Sequence, residues 1–234
     1  MSINMKAITY SKVYRGFPIL TNRQKGLGCL THILDAYIKQ LLYMVHNHSK
    51  VMQIRFDLHY PDDDSFIPKR KHLHDFCYNL RRRLKRKKFV GGHKLDPHYI
   101  HTSEKHYSLN EHFHFVLLVN ANVSQAYMPI LINHVVPSWQ TVLKTDRDGL
   151  VDFCNRKGSN GIVMDRNSTF FNARVHMCSL QASYLAKIHT KEFRSKGNWL
   201  CGTTRIPSSY NSGNGISELA SENLNTITPS GDTQ

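Results

Sequence analysis

Two histidines separated by one bulky apolar residue, His112-Phe113-His114, open an apolar run that continues to Val119. In a strand, residues i and i+2 share a face, so both imidazoles converge on one point while Phe113 packs on the other side. Paired imidazoles at that spacing suit a metal clamp. The chain also contains His46-Asn47-His48 and His72-Leu73-His74. The first has a polar centre at a helix end, and the second falls at a helix start, where i and i+2 diverge by about 200°. Only the 112/114 pair has strand geometry, and a lone pair of this kind would equally suit a solvated sheet face.

Two imidazoles leave a divalent cation under-coordinated, and a carboxylate helps to retain a hard metal. Glu104 lies in the preceding strand. A hairpin centred on Ser108 sets Glu104 opposite His112 on the same face, whereas a slip of one residue turns it away. Asp57 and Glu111 compete for the role, and a surface salt bridge is the plain alternative for Glu104.

The second chemical group is Ser183-Tyr184-Leu185-Ala186-Lys187, read as part of a helix over residues 174–193. Tyr184, Lys187 and Lys191 fall at i, i+3 and i+7, one helix face, which sets ammonium groups beside the phenol. A phenol with a pKa of about 10 is a poor nucleophile at neutral pH unless a cation or a polarised substrate assists it. A packed aromatic beside a solvated charge has the same pattern.

The third feature is charge. Lys+Arg number 31 against 17 Asp+Glu, a formal +14, and this favours a polyanionic partner. Residues 205–234 carry Arg205 against Glu218, Glu222 and Asp232, so the excess lies in residues 1–204. It peaks at Arg81, Arg82, Arg83, Lys85, Arg86, Lys87 and Lys88, with Asp75 the acidic neighbour of the wider cluster. Charge runs usually form solvated helix faces; the lack of neutralising acids here points to phosphate contacts.

The elements that must position these groups follow from periodicity. Residues 1–20 read as an N-terminal arm. Thr31 is expected to cap a helix bearing Leu34, Tyr37, Ile38, Leu41 and Val45. Residues 51–59 alternate, with Ile54, Phe56 and Leu58 against Gln53, Arg55, Asp57 and His59, as in a half-buried strand. A helix follows Pro68, with Leu73, Phe76, Cys77, Leu80 and Leu84 as its apolar stripe, and Gly91-Gly92 ends it. Residues 98–106 and 112–119 form a hairpin. Residues 123–144 are partly helical around Pro137, and 149–165 hold short strands. Residues 205–234 read as a disordered polar tail. The order predicts an α+β fold with an antiparallel sheet covered by helices, residues 21–204 forming one domain.

No apolar run approaches the roughly 20 residues that span a bilayer, and the N-terminus does not read as a secretory signal. A cytoplasmic protein without a membrane partner is expected. The scattered cysteines Cys29, Cys77, Cys154, Cys178 and Cys201 form no Cys-x-x-Cys pair and read as reduced thiols.

Arg55-Phe56-Asp57-Leu58, His112-Phe113-His114 through Asn120, and Ser183-Tyr184-Leu185-Ala186-Lys187 together resemble the three ordered motifs of HUH endonucleases. More narrowly they resemble the replication proteins of filamentous phages and the YagK/YfjJ-type prophage proteins. The resemblance implies a sheet of about five antiparallel strands flanked by helices, with His112, His114 and Glu104 holding Mg²⁺ or Mn²⁺. It further implies Tyr184 as the nucleophile and Lys187 as its helper, with Arg55, Asp57 and Lys191 as accessory groups. The implied activity is nicking of single-stranded or origin DNA through a 5′-phosphotyrosyl link that frees a 3′-hydroxyl, to initiate rolling-circle replication. No Walker phosphate loop is found, so a host helicase and polymerase are the expected partners. Two rivals are an inactive DNA-binding regulator and a metallohydrolase using the same histidines.

Overall fold

The computed structural model describes residues 8–63, 65–86, 94–104, 111–123, 127–154, 161–188, 201–208 and 210. In chain order these form β1 (Ile8–Thr9), β2 (Val13–Tyr14), β3 (Phe17–Pro18), β4 (Cys29–Leu30), α1 (Thr31–Asn47), β5 (Lys50–Leu58), α2 (Arg70–Arg86), β6 (His98–Glu104) and β7 (His112–Asn120). There follow α3 (Tyr127–Ile130), a π-helical turn Leu131–Val135, α4 (Val136–Leu143), β8 (Val151–Asp152), β9 (Ile162–Asp165), α5 (Phe171–Ser183), a 3-10 turn Tyr184–Ala186 and β10 (Cys201–Thr203). The fold is α+β.

The main sheet is antiparallel in the order β10-β6-β7-β5, with β8 and β9 sharing the far side of β5. β9 pairs with Lys50 to Gln53 and β8 with Asp57 and Leu58, so the sheet is five positions wide. A short β1–β4 pair and a β2–β3 hairpin precede it. The segment read as an arm is thus docked on the domain, with Phe17 and Ile19 buried in its core.

Helices cover both faces of the sheet. On one face Val51, Ile100, Val116 and Leu118 pack with α1, with α5 and with Leu185 and Ala186 of the 3-10 turn. On the other, Met52, Ile54, Phe56, Phe113, Phe115 and Leu117 pack with α2 and α4. The stacked rings of Phe56 and Phe115, with centroids 5.0 Å apart, anchor that second core, and Phe76 meets them edge-on.

Double coverage corrects the half-buried reading of β5. Its polar side is enclosed as well, because α1 and α5 supply the hydrogen bonds that water would otherwise give. Gln53 accepts from the Tyr37 hydroxyl at 2.8 Å and donates to the Cys178 carbonyl at 2.9 Å. Thr31 is not a cap: Leu30 precedes the helix with no side-chain cap bond. No helix is long and apolar enough to cross a membrane among the described residues.

Phe115→Ala should cost about 3–5 kcal/mol, since it opens a cavity that the stacked Phe56 cannot refill. Denaturant unfolding checks this; a loss below about 1 kcal/mol would place the second core elsewhere.

Candidate active site

The chemical groups gather at the end of the sheet where β5 and β6 finish and β7 begins. Glu104 pairs with His112, the register expected of a hairpin centred on Ser108, and Asp57 pairs with His114 from the other side. Strand alternation then turns Asp57, Glu104, His112 and His114 onto one face. Glu104 Oε2 lies 2.9 Å from Nε2 of His114 and 3.7 Å from Nε2 of His112, while Nδ1 of His114 lies 2.8 Å from Asp57 Oδ1. The Glu104 and His114 side chains are each 3% exposed and that of His112 is 20% exposed, so His112 forms the open side of the cluster.

The electrostatics follow from this burial. Burial disfavours the charged form of His114, but Asp57 and Glu104 outweigh it and raise its pKa. Burial, with His114 beside it, pushes His112 down to about 4, so His112 stays neutral with a lone pair to offer. For Asp57, burial is overcome by His114 and Arg55, which hold the carboxyl below its ordinary range. Arg55 lies 3.5 Å from Asp57, so two carboxyl groups, an imidazole and a guanidinium meet at one largely buried point. The contacts of His114 have ion-pair lengths, yet neither ring nitrogen is aligned for a hydrogen bond, and both are buried.

That arrangement fits a divalent cation. Donor atoms of Glu104, His112 and His114 lie within 4.8 Å of one another. Ligands about 2.1 Å from an ion stand about 3 Å apart at right angles and about 4.2 Å apart when opposed. Asp57, weighed as a ligand, instead faces Nδ1, where a carboxylate fixes the tautomer and ring orientation of a ligating histidine. Glu111, the other competitor, lines a cleft on the opposite face of the sheet. Asp57 also meets Asp152 and Cys154. Burial and the Asp57 charge push Cys154 up to about 12, so it remains a thiol.

Tyr184 comes from the other layer. α5 ends at Ser183 rather than continuing through Phe193, and Tyr184–Ala186 tighten into a 3-10 turn. Ser183 Oγ donates to the Leu180 carbonyl at 2.7 Å and accepts from the Leu20 amide at 2.9 Å, and Lys187 forms a bridge to Cys29. In a 3-10 turn, i and i+3 eclipse, so Lys187 still meets Tyr184. Its ammonium lies 4.3 Å from the ring centroid, and the Arg55 guanidinium 4.1 Å. The ring stands edge-on to His114 at 5.2 Å. Burial, together with Glu104, raises the Tyr184 pKa against the opposing pull of Arg55. Burial, with Arg55 nearby, lowers that of Lys187.

His59 is a residue that sequence reasoning missed. Its ring stacks on His112 at 5.4 Å, and its carbonyl accepts from Trp139 Nε1 at 2.8 Å, which ties the site to the second core. The His59 position at the end of an alternating strand was visible; its stacking partner was not. Arg81, Arg82, Arg83 and Lys85 are not brought to this cluster: α2 packs on the opposite face of the sheet. Arg86 ends α2, while Lys87, Lys88 and Lys191 lie outside the described residues.

The sequence model of the YagK/YfjJ C-terminal domain matches residues 9–199, and the chain belongs to that family. Searches of curated proteins and of solved structures find no match.

Calorimetric titration with Mn²⁺ tests the cluster. Replacing both His112 and His114 with Ala should abolish binding, and Asp57→Asn should weaken it about 10- to 100-fold. Because the raised His114 must surrender a proton to ligate, uptake should release a proton and weaken as pH falls through that value. Unchanged affinity in the double variant, or no pH dependence, would contradict the assignment.

Proposed function

We propose that this protein is a metal-dependent DNA-nicking endonuclease of the HUH type, with Tyr184 as its nucleophile. One observation carries the reading: a tyrosine held edge-on to a His-His-Glu cluster beneath two cations. A structural tyrosine would need neither the cations nor a buried charged cluster, which is expensive to enclose.

The substrate is single-stranded DNA. Glu104, His112 and His114 would hold Mg²⁺ or Mn²⁺, which supplies Lewis-acid neutralisation of charge on the scissile phosphate. Tyr184 Oη attacks the phosphorus, forming the O–P bond of a 5′-phosphotyrosine as the bond to the 3′-oxygen breaks. The phenolic proton passes to water and the departing oxygen takes one, leaving a 3′-hydroxyl that primes synthesis. Arg55 and Lys187 favour the developing phenolate and the added phosphate charge, while Asp57 keeps His114 in register. Initiation of rolling-circle replication of a phage, prophage or plasmid is the role that such chemistry serves, in the cytoplasm of a bacterial host, whose helicase and polymerase would do the rest.

With Mn²⁺ and single-stranded DNA, a denaturing gel should show a protein–DNA band that resists heat and detergent. Tyr184→Phe should bind DNA but form no such band, and Lys187→Ala should slow its formation roughly a hundredfold. Cleavage without an adduct would instead mark a hydrolase.

A further inference from the structure

Back to back with the metal cluster, on the face covered by α2, lies a cleft of about 530 Å³. That volume falls within the roughly 300–1,000 Å³ of small-molecule sites. It shares strands with the cluster: Ser103 and Phe113 line the cleft, while their chain neighbours Glu104, His112 and His114 face the other way. Tyr99 and His101 of β6 offer rings to it, and the Gly202 backbone adjoins the His101 ring so closely that a Cβ there would collide with Nε2.

The remaining wall is basic. Lys69, Arg70 and His74 line the cleft and are exposed; Glu111 is the one carboxylate among the described lining residues. From there the charge continues along α2. Arg70, His74, Tyr78, the half-buried Arg81 and Lys85 recur at helical spacing on one stripe, beside the apolar stripe of Leu73, Phe76, Leu80 and Leu84. Tyr78 is 61% exposed, with the Arg82 guanidinium 5.6 Å from its ring centroid. From Arg70 to Lys85 the stripe extends about 23 Å. An exposed aromatic set among cations is what packing does not require and what single-stranded nucleic acid uses, its bases stacking on rings and its phosphates meeting charge.

We propose that this cleft and the outer stripe of α2 form a second single-strand track, which holds DNA flanking the nick on the sheet face opposite Tyr184. The proposal rests on the nicking reading for its biological sense. Strand passing over the end of β6 and β7 would reach both faces, and the basic helix thereby serves a site from which the sheet separates it.

Fluorescence anisotropy in EDTA, with a labelled mixed-sequence single strand, tests the track separately from the chemistry. Replacing Lys69, Arg70 and Lys85 together with Gln should lower the log–log salt slope by about 2, at about 0.7 per phosphate contact. Tyr78→Ala should weaken binding at least about fivefold. All four side chains are exposed, and unaltered Mn²⁺ binding verifies the fold of each variant. Unchanged affinity and slope would overturn the track, as would an equal loss on duplex of the same length. A wild-type protein that forms no covalent adduct, while the variants lose single-strand affinity as stated, would remove the nicking reading and leave the track standing.

Discussion

Asp57, His114 and Glu104 form a buried chain of charge, carboxylate to imidazole to carboxylate, with contacts of 2.8 and 2.9 Å. Enclosing these groups under α1 and α5 carries a desolvation cost that ion pairing only partly offsets. Removing His114 would take from both carboxylates the imidazole that they share in a low-dielectric pocket. The rest of the site follows from this constraint. The three residues come from three neighbouring strands, so their spacing depends on sheet register, and β7 must lie at the centre with both faces covered. Glu104 and His114 set donor atoms at this point, and the more exposed His112 gives it an open side.

The second layer contributes what the sheet lacks. A continuous α5 would carry Tyr184 onward along a regular helix, whereas the 3-10 turn and the Lys187–Cys29 bridge stop the chain beside His114. The docked N-terminal segment supports that stop, because the Leu20 amide and the Cys29 backbone both engage it. Residues far apart in sequence therefore fix the phenol, and the cations over its ring counter the nearby carboxylates.

What could be read from sequence was local. His112 and His114 share a face because strand alternation has a period of two, and Glu104 met His112 because a hairpin's pairing is symmetrical about its centre. The polar side of β5 was misread as solvated because alternation reports polarity, whereas burial depends on what α1 and α5 bring, such as the Tyr37 hydroxyl over Gln53. The apolar stripe of α2 showed which side of the helix is buried but not which sheet face receives it. The early end of α5 depends on Leu20 and Cys29, more than 150 residues away, and no helical periodicity records that.

The central claim is that Tyr184 is the group that reacts beside the His-His-Glu cluster. After incubation with Mn²⁺ and a single-stranded substrate, nuclease trimming and proteolysis, mass spectrometry of the tyrosine-containing peptides measures this directly. The account predicts a nucleotide joined through phosphate to Tyr184 alone. A nucleotide on another tyrosine, or cut DNA with every tyrosine unmodified, would contradict it.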